Sequence, residues 1–297
     1  MNRLAGYAAL TRPWNMALCA MSVFCGAVLG GKPLAVAAGM YPPGPGSAVG
    51  QLWFHTIAAA LSASLILAAG NVFNDICDID TDRINAPTRP IVSGQVTINS
   101  AGIFATALTL TGLFFAVPLG IRGVAVALIA CVLLYAYDTR LKRTVAAGNL
   151  TVALLGGLAF IYGGIAGNAI ARSLIPAMFA VLLHWAREVV KDIADITGDR
   201  ATGIDTVGTR LGPEKASRLA AGIIILLIAA TAIPSLTGYF GAAYTFICLA
   251  GIWIPSAVTA VSLLRSPSPE TAYRVATALK AIMPVGLAAV IAGFQGI

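Results

Sequence analysis

The stretch LWFHTIAAALSASLILAAGNVFNDICDIDTDRINAPTRPIVSG, residues 52–94, decides what kind of protein this is. Residues 52–70 contain no Asp, Glu, Lys or Arg. A helix needs about 20 apolar residues to cross the hydrocarbon of a bilayer, so this run reads as a membrane span. It then passes without a turn signal into four acids, Asp75, Asp78, Asp80 and Asp82. If the helix continues through them, Asn71, Asp75, Asp78 and Asp82 stand at i, i+4, i+7 and i+11 and form one stripe. Asn74, Asp78 and Asp82 share a face at i, i+4 and i+8.

The rest of the chain agrees with a span. Of 297 residues, 58% are apolar and only 10% charged, and the mean hydropathy is +0.86. Soluble domains have about 25% charged residues, so charge is too scarce here to coat a globule. That composition excludes a disordered chain and a nucleic-acid-binding domain. Nine apolar runs read as spans, near 14–30, 52–75, 101–119, 124–138, 147–168, 173–190, 219–235, 239–263 and 272–294, the fourth of them short. The expectation is an all-α integral membrane protein of one domain, residues 1–297, with the Gly/Pro-rich 31–51 segment as a loop. The five cysteines are scattered with no CxxC pair and read as small apolar helix residues.

Charge sets the orientation. With the N-terminus inside, only Lys32, Arg122 and Arg172 lie on outer segments and Lys280 lies within a span; the other Lys and Arg fall on the inner side. This is the bias expected of cytoplasmic loops, and it accounts for the net charge of +7 without a nucleic-acid partner. All 12 acids also fall on the inner side.

A second acidic stripe closes the sixth span in REVVKDIADITGDRATGIDTVGTRLG, where Glu188, Asp192, Asp195 and Asp199 repeat the same spacing. At an offset of 117, Asp75, Ile76, Asp78, Ile79, Asp82 and Arg83 fall on Asp192, Ile193, Asp195, Ile196, Asp199 and Arg200. Solvated helix ends would explain one such stripe. Two matched ones are harder to explain, because like charges at i, i+4 destabilise a helix and carboxylates near hydrocarbon need a neutralising partner. Oxygen ligands without His or Cys suit Mg²⁺, which shares its coordination between a few carboxylates and substrate phosphates. Basic residues flank both stripes, namely Arg83, Arg89, the Arg140, Lys142 and Arg143 cluster, Lys191 and Arg200. Such side chains suit phosphate oxygens that a metal leaves free. The stripes lie at ends of helices that both run outside to inside, a parallel relation that disfavours a cation-coupled transporter with an inverted repeat.

At these segments the chain resembles the UbiA superfamily of intramembrane prenyltransferases. Asn74–Asp82 resembles the family pattern NDxxDxxxD, Asp195–Asp199 its DxxxD, Arg89–Gly94 its RPxxSG and Arg12–Asn15 its RPxN. Leu141-Lys142-Arg143 with Gly148-Asn149 is similar to its LKR…GN stretch. The resemblance implies nine helices around a central cavity and Mg²⁺ held by Asn74, Asp75, Asp78, Asp82, Asp192, Asp195 and Asp199. It implies that Asp78, Asp82, Asp195 and Asp199 are catalytic. Asn15, Arg83, Arg89, Arg140, Lys142, Arg143, Glu188, Lys191 and Arg200 are the expected substrate contacts. The donor would be a polyprenyl diphosphate, with geranylgeranyl expected, and the site would face the cytoplasm of the cell membrane. Arg187-Glu188 and Lys191-Asp192 are most similar to the ether-lipid branch, whose lipid acceptor is geranylgeranylglyceryl phosphate. An aromatic or chlorophyllide-type acceptor is the alternative, and Asp205-Thr206-Val207-Gly208 departs from the Leu-Pro pair common in relatives.

Several other residues invite a functional reading. His184, one turn before Glu188, reads as a hydrogen-bonded helix histidine. Lys280, in the last span, is a functional candidate because intramembrane charge is costly. Tyr135, Tyr137 and Tyr162 read as packing aromatics and Cys77 as structural.

Overall fold

The computed structural model describes residues 3–30 and 48–294. Most of the expected 31–51 loop lies outside the described residues. The described chain is helical, and no strand occurs within it. Seven helical stretches are long and apolar enough to cross a membrane, and Pro13–Val28 is a shorter apolar helix of 16 residues. The expected spans 101–119 and 124–138 fall within one 42-residue stretch, Ile98–Thr139. A 3-10 turn at Val117–Leu119 interrupts it, and Gly120 takes φ 69°, a backbone angle that glycine adopts without Cβ strain.

Two compact units divide the chain, Met1–Thr139 with Leu158–Leu174, and Arg140–Gly157 with Ile175–Ile297. The first contains α1 (Arg3–Thr11), α2 (Pro13–Val28), α3 (Ala48–Cys77), α4 (Ile79–Asn85), α5 (Ile98–Ala116) and α6 (Gly120–Thr139). Helices α7 (Ala147–Ala166) and α8 (Ile170–Ala194) contribute residues to both units. In the first unit, small residues let backbones approach. A Cβ on Gly163 or Gly167 would strike the backbone carbonyl of Val23 or Ala27, and one on Gly26 that of Phe160. Lipid tails give helices no hydrophobic drive to associate, so such close van der Waals contact is what joins α2 to α7. Buried Tyr162 adds a hydrogen bond, Oη to Ser62 Oγ at 3.0 Å.

The second unit contains α9 (Ile196–Ala201), α10 (Val207–Leu236), α11 (Ala242–Cys248), α12 (Ile254–Arg265) and α13 (Pro269–Gly293), with a π turn at Leu249–Trp253 between α11 and α12. Thr206 caps α10 through a capping box with Thr209. Gly212, at φ 74°, with Pro213 breaks that helix one turn later. Thr231 ties three elements of the unit. Its carbonyl accepts from Tyr244 Oη (2.7 Å) and its Oγ1 from Trp253 Nε1 (3.0 Å).

Candidate active site

In the first unit the helix does not run unbroken through the acidic stripe. It ends at Cys77, and Asp78 takes φ −97° and ψ 9° before α4 begins. That conformation lies in the sparsely populated bridge region, where many active-site residues sit. The turn-to-turn bonds survive the break, from Asp78 N to Asn74 O at 2.9 Å and from Asp82 N to Asp78 O at 2.7 Å. Asp75, Asp78 and Asp82 therefore keep the common face the spacing predicts, and all three are buried.

Their partners come from two distant segments. Arg12 adopts a left-handed backbone (φ 53°, ψ 69°) between α1 and α2, with Pro13 opening α2. Its guanidinium reaches Asp75 Oδ1 at 2.6 Å, Asn74 Oδ1 at 3.2 Å and Asn71 Oδ1 at 3.5 Å. Asn71 donates in return to the Thr11 carbonyl at 3.1 Å. Arg89 lies on the loop after α4 and donates to Asp75 Oδ1 at 3.0 Å and to Asp82 Oδ2. Apolar packing holds that loop, since Ile91 and Val96 join Leu10, Val72, Ala101 and Ala105 in one buried cluster. Asn74 Nδ2 donates to Oδ1 of buried Asp138 on α6 at 2.7 Å. Burial pushes the Asp82 carboxyl above the usual carboxylate range. Arg89 opposes that shift, while Asp78 and Asp75 reinforce it.

The second unit repeats the break. Asp195 has φ −92° and ψ 3° between α8 and α9, with Asp195 N to Lys191 O at 2.9 Å and Asp199 N to Asp195 O at 3.1 Å. Here the surroundings differ. Asp192 Oδ2 accepts from Asn149 Nδ2 of α7 at 2.8 Å and from the Val207 amide at 3.2 Å. Gly208 lies so close to the Asp192 carbonyl that a Cβ there would collide. Thr206 Oγ1 donates to Asp199 Oδ2 at 3.2 Å. Burial, with Asp195 as a second cause, raises Asp199 to about 6 against the pull of Thr206, Lys142 and Lys191. Buried Glu188 accepts from Arg187 Nη1 (3.1 Å) and Lys191 Nζ (3.0 Å).

The expected basic contacts separate into groups. Arg89 meets the acids of the first motif, Lys191 meets Glu188, and Lys142 acts electrostatically on Asp199. Arg83 pairs instead with exposed Asp80 at 3.0 Å, a surface pair worth about 1 kcal/mol or less. Arg140, Arg143 and Arg200 are exposed, and Asn15 is half-buried in the first turn of α2. Sequence reasoning left Arg12, Asp138 and Thr206 out of the site and gave Asn149 no role. Arg12 carried a signal, a cation directly before a helix-opening proline. So did Asp138, the one acid ending its span. The expectation for His184 is corrected: its Nδ1 is buried without a hydrogen-bond partner, and the ring packs its Cδ2 and Nε2 side against Gly156 of α7, where a Cβ would collide with it.

The donors of both motifs are carboxylate and amide oxygens, which suits Mg²⁺ by chemistry. Among the described residues no three His, Cys, Asp or Glu side chains gather around one point as a metal site. Two guanidiniums, those of Arg12 and Arg89, pair with acids of the first motif.

A digeranylgeranylglyceryl phosphate synthase of Saccharolobus solfataricus is 35% identical over 238 residues, 79% of this chain and 83% of the relative. One from Methanopyrus kandleri is 33% identical over 261 residues, covering 87% and 90%. A solved digeranylgeranylglyceryl phosphate synthase superposes with a TM-score of 0.74 at 28% identity, over 99% of both chains. A UbiA homolog from Archaeoglobus fulgidus bound to GPP and Mg²⁺ shares the fold, with a TM-score of 0.56 at 16% identity over 96% of this chain and 99% of that one. The UbiA prenyltransferase family profile matches residues 25–282, from within α2 to within α13. A match of that extent, on an integral multi-pass membrane chain, means that the protein belongs to the UbiA prenyltransferase family.

Proposed function

We propose that this protein transfers a geranylgeranyl group from its diphosphate to geranylgeranylglyceryl phosphate, with Mg²⁺, in ether-lipid synthesis on the cytoplasmic side of the cell membrane. The observation that carries the reading is the paired acidic motif. In each copy the middle aspartate sits at a helix break in the bridge region and the last one is buried beside it. The names of the relatives that cover most of the chain support the acceptor. The reading takes residues 1–297 as one catalytic domain of nine membrane helices around a central cavity, as family membership implies.

In this reading Asn74, Asp78, Asp82, Asp195 and Asp199 provide the oxygens for the metals, with Asp75 and Asp192 in the same motifs. When bound, Mg²⁺ would supply Lewis-acid charge to the leaving diphosphate. Lys142 and Arg143 offer donors to diphosphate oxygens, and Arg89 and Lys191 balance the carboxylate charge around them. Apolar helices keep water from the allylic carbon, so the prenyl group meets the acceptor oxygen before it is hydrolysed. The test is product mass and pyrophosphate release from detergent-purified protein supplied with geranylgeranyl diphosphate and Mg²⁺. Geranylgeranylglyceryl phosphate, homogentisate and no acceptor are compared, with EDTA as control. A product one geranylgeranyl unit heavier than the glyceryl phosphate is expected. Turnover with homogentisate alone would overturn the acceptor assignment, and transport across sealed vesicles without pyrophosphate release would overturn the reaction.

A further inference from the structure

The three aspartates of each motif differ in how the protein holds them. In the first motif Asp75 Oδ1 accepts from both Arg12 and Arg89. In the second, the residue at the same place in the repeat, Asp192, accepts on one oxygen from Asn149 Nδ2 and the Val207 amide. A carboxylate oxygen has about two lone-pair sites, so one oxygen of each leading aspartate is fully used by protein donors. Both bonds also span long stretches of sequence. Asp75 joins the end of α3 to the α1–α2 elbow and to the loop after α4. Asp192 joins the end of α8 to α7 and to the start of α10. The middle aspartates occupy the breaks, and each last aspartate takes a single donor, from Arg89 or from Thr206.

We infer that Asp75 and Asp192 are positioning residues, which fix the two helix breaks so that Asp78, Asp82, Asp195 and Asp199 present their oxygens, and that they are not themselves metal ligands. The inference rests on the Mg²⁺ reading of the motifs above. Two different donor sets reach the same end. Around Asp75 the Arg12 guanidinium and the Arg89 guanidinium, the latter shared with Asp82, neutralise the carboxylate and weaken its pull on a further cation. Around Asp192 a neutral amide and a backbone N–H on one oxygen clamp the carboxylate against α7 and the first turn of α10. Gly208 is what permits that approach, since any side chain there would meet the Asp192 carbonyl. The left-handed Arg12 fits the same role. Non-glycine residues hold such a conformation at a cost of about 1–3 kcal/mol only where surrounding contacts enforce it, and here three contacts to the stripe do so.

The roles separate in an amide-versus-alanine comparison, because Asn keeps the acceptor oxygen for the protein donors and loses the negative charge that draws a cation to an aspartate. Mn²⁺ binding to the purified full-length protein in detergent, read by electron paramagnetic resonance, gives affinity and count without turnover. Asp192→Asn is expected to keep the Mn²⁺ count with affinity within about threefold, and Asp192→Ala to weaken it about 10–100-fold, the usual range for loss of an orienting partner. Asn149→Ala is expected to weaken binding in the same direction and to add little to Asp192→Ala. Asp75→Asn and Asp75→Ala are expected to differ in the same sense. At Asp195, Asn and Ala are expected to be equally damaging. In steady state Asp192→Asn should lower kcat severalfold with little change in the KM for the donor diphosphate. If Asp192→Asn loses a bound Mn²⁺, or matches Asp192→Ala, the residue is a ligand and the inference is wrong. Should Asp192→Ala fail to fold, Asp192→Asn alone decides between a threefold and a tenfold or greater loss. Absence of Mn²⁺ from the unaltered protein would overturn the metal reading itself and this inference with it.

Discussion

Arg12→Met tests the electrostatics of the first motif most directly. The substitution leaves buried Asp75 with one guanidinium instead of two, and Asn74 Oδ1 without its donor. Asp75 is 3% exposed, so its carboxylate draws little help from water. A hydrogen bond to a charged group contributes about 1.5–3 kcal/mol. The Arg12 side chain is 32% exposed and Arg89 remains in place, which moves the expectation to the lower part of that range, about 2 kcal/mol. For chains of 150–250 residues each kcal/mol shifts Tm by about 2–4 °C, so a fall of about 5 °C is expected here. The assay is thermal unfolding in one detergent at a fixed scan rate, with tryptophan fluorescence as the signal. Arg12→Lys restores the charge but cannot fork across Asn71, Asn74 and Asp75, so it should recover about half of the loss. A fall below about 1 °C, or equal losses for Met and Lys, would refute the argument that the Arg12–Asp75 pair holds the α1–α2 elbow to α3.

Further outcomes follow from the same geometry. Asp78→Asn and Asp195→Asn should each nearly abolish prenyl transfer, measured by pyrophosphate release, while leaving the protein folded and extractable; a near-normal rate in either would remove that motif from the metal site. Gly163→Val forces a branched side chain onto the Val23 carbonyl, and should cut the yield of monodisperse protein in size-exclusion chromatography far more than Gly222→Val, where a Cβ meets open space. Asp82 and Asp199 are both held above the ordinary carboxylate range, Asp199 at about 6 against 3.8. Between those values the folded state binds more protons than the unfolded one, so their ionisation costs stability. In EDTA the Tm should decline as pH rises from about 4 to 6. Mg²⁺ favours the ionised forms, so its stabilisation should be large at pH 7.5 and small at pH 5. A Mg²⁺ shift independent of pH would separate these carboxylates from the metal.

Sequence alone was enough to establish the membrane class, the all-helical fold and the two acidic motifs. Hydrocarbon imposes a length and an absence of charge that can be counted along the chain, as in residues 52–70, and a helical stripe needs only spacing along one element. The break at Asp78 was not readable, because Cys77-Asp78-Ile79 contains no glycine or proline. Nor did spacing distinguish Asp75 from Asp82, or Asp192 from Asp199, since all four lie on helix faces at the same period. Tertiary folding made that distinction by bringing Arg12, Arg89, Asn149 and Val207 to particular oxygens. Those partners lie between 14 and 63 residues away along the chain, where helical periodicity carries no information. Their positions depend on a left-handed residue before Pro13, on the apolar cluster that holds Ile91 and Val96, and on a glycine at 208 that lets two backbones meet. Each of these is a three-dimensional coincidence of packing, and it was packing that gave the carboxylates of a uniform acidic stripe different partners.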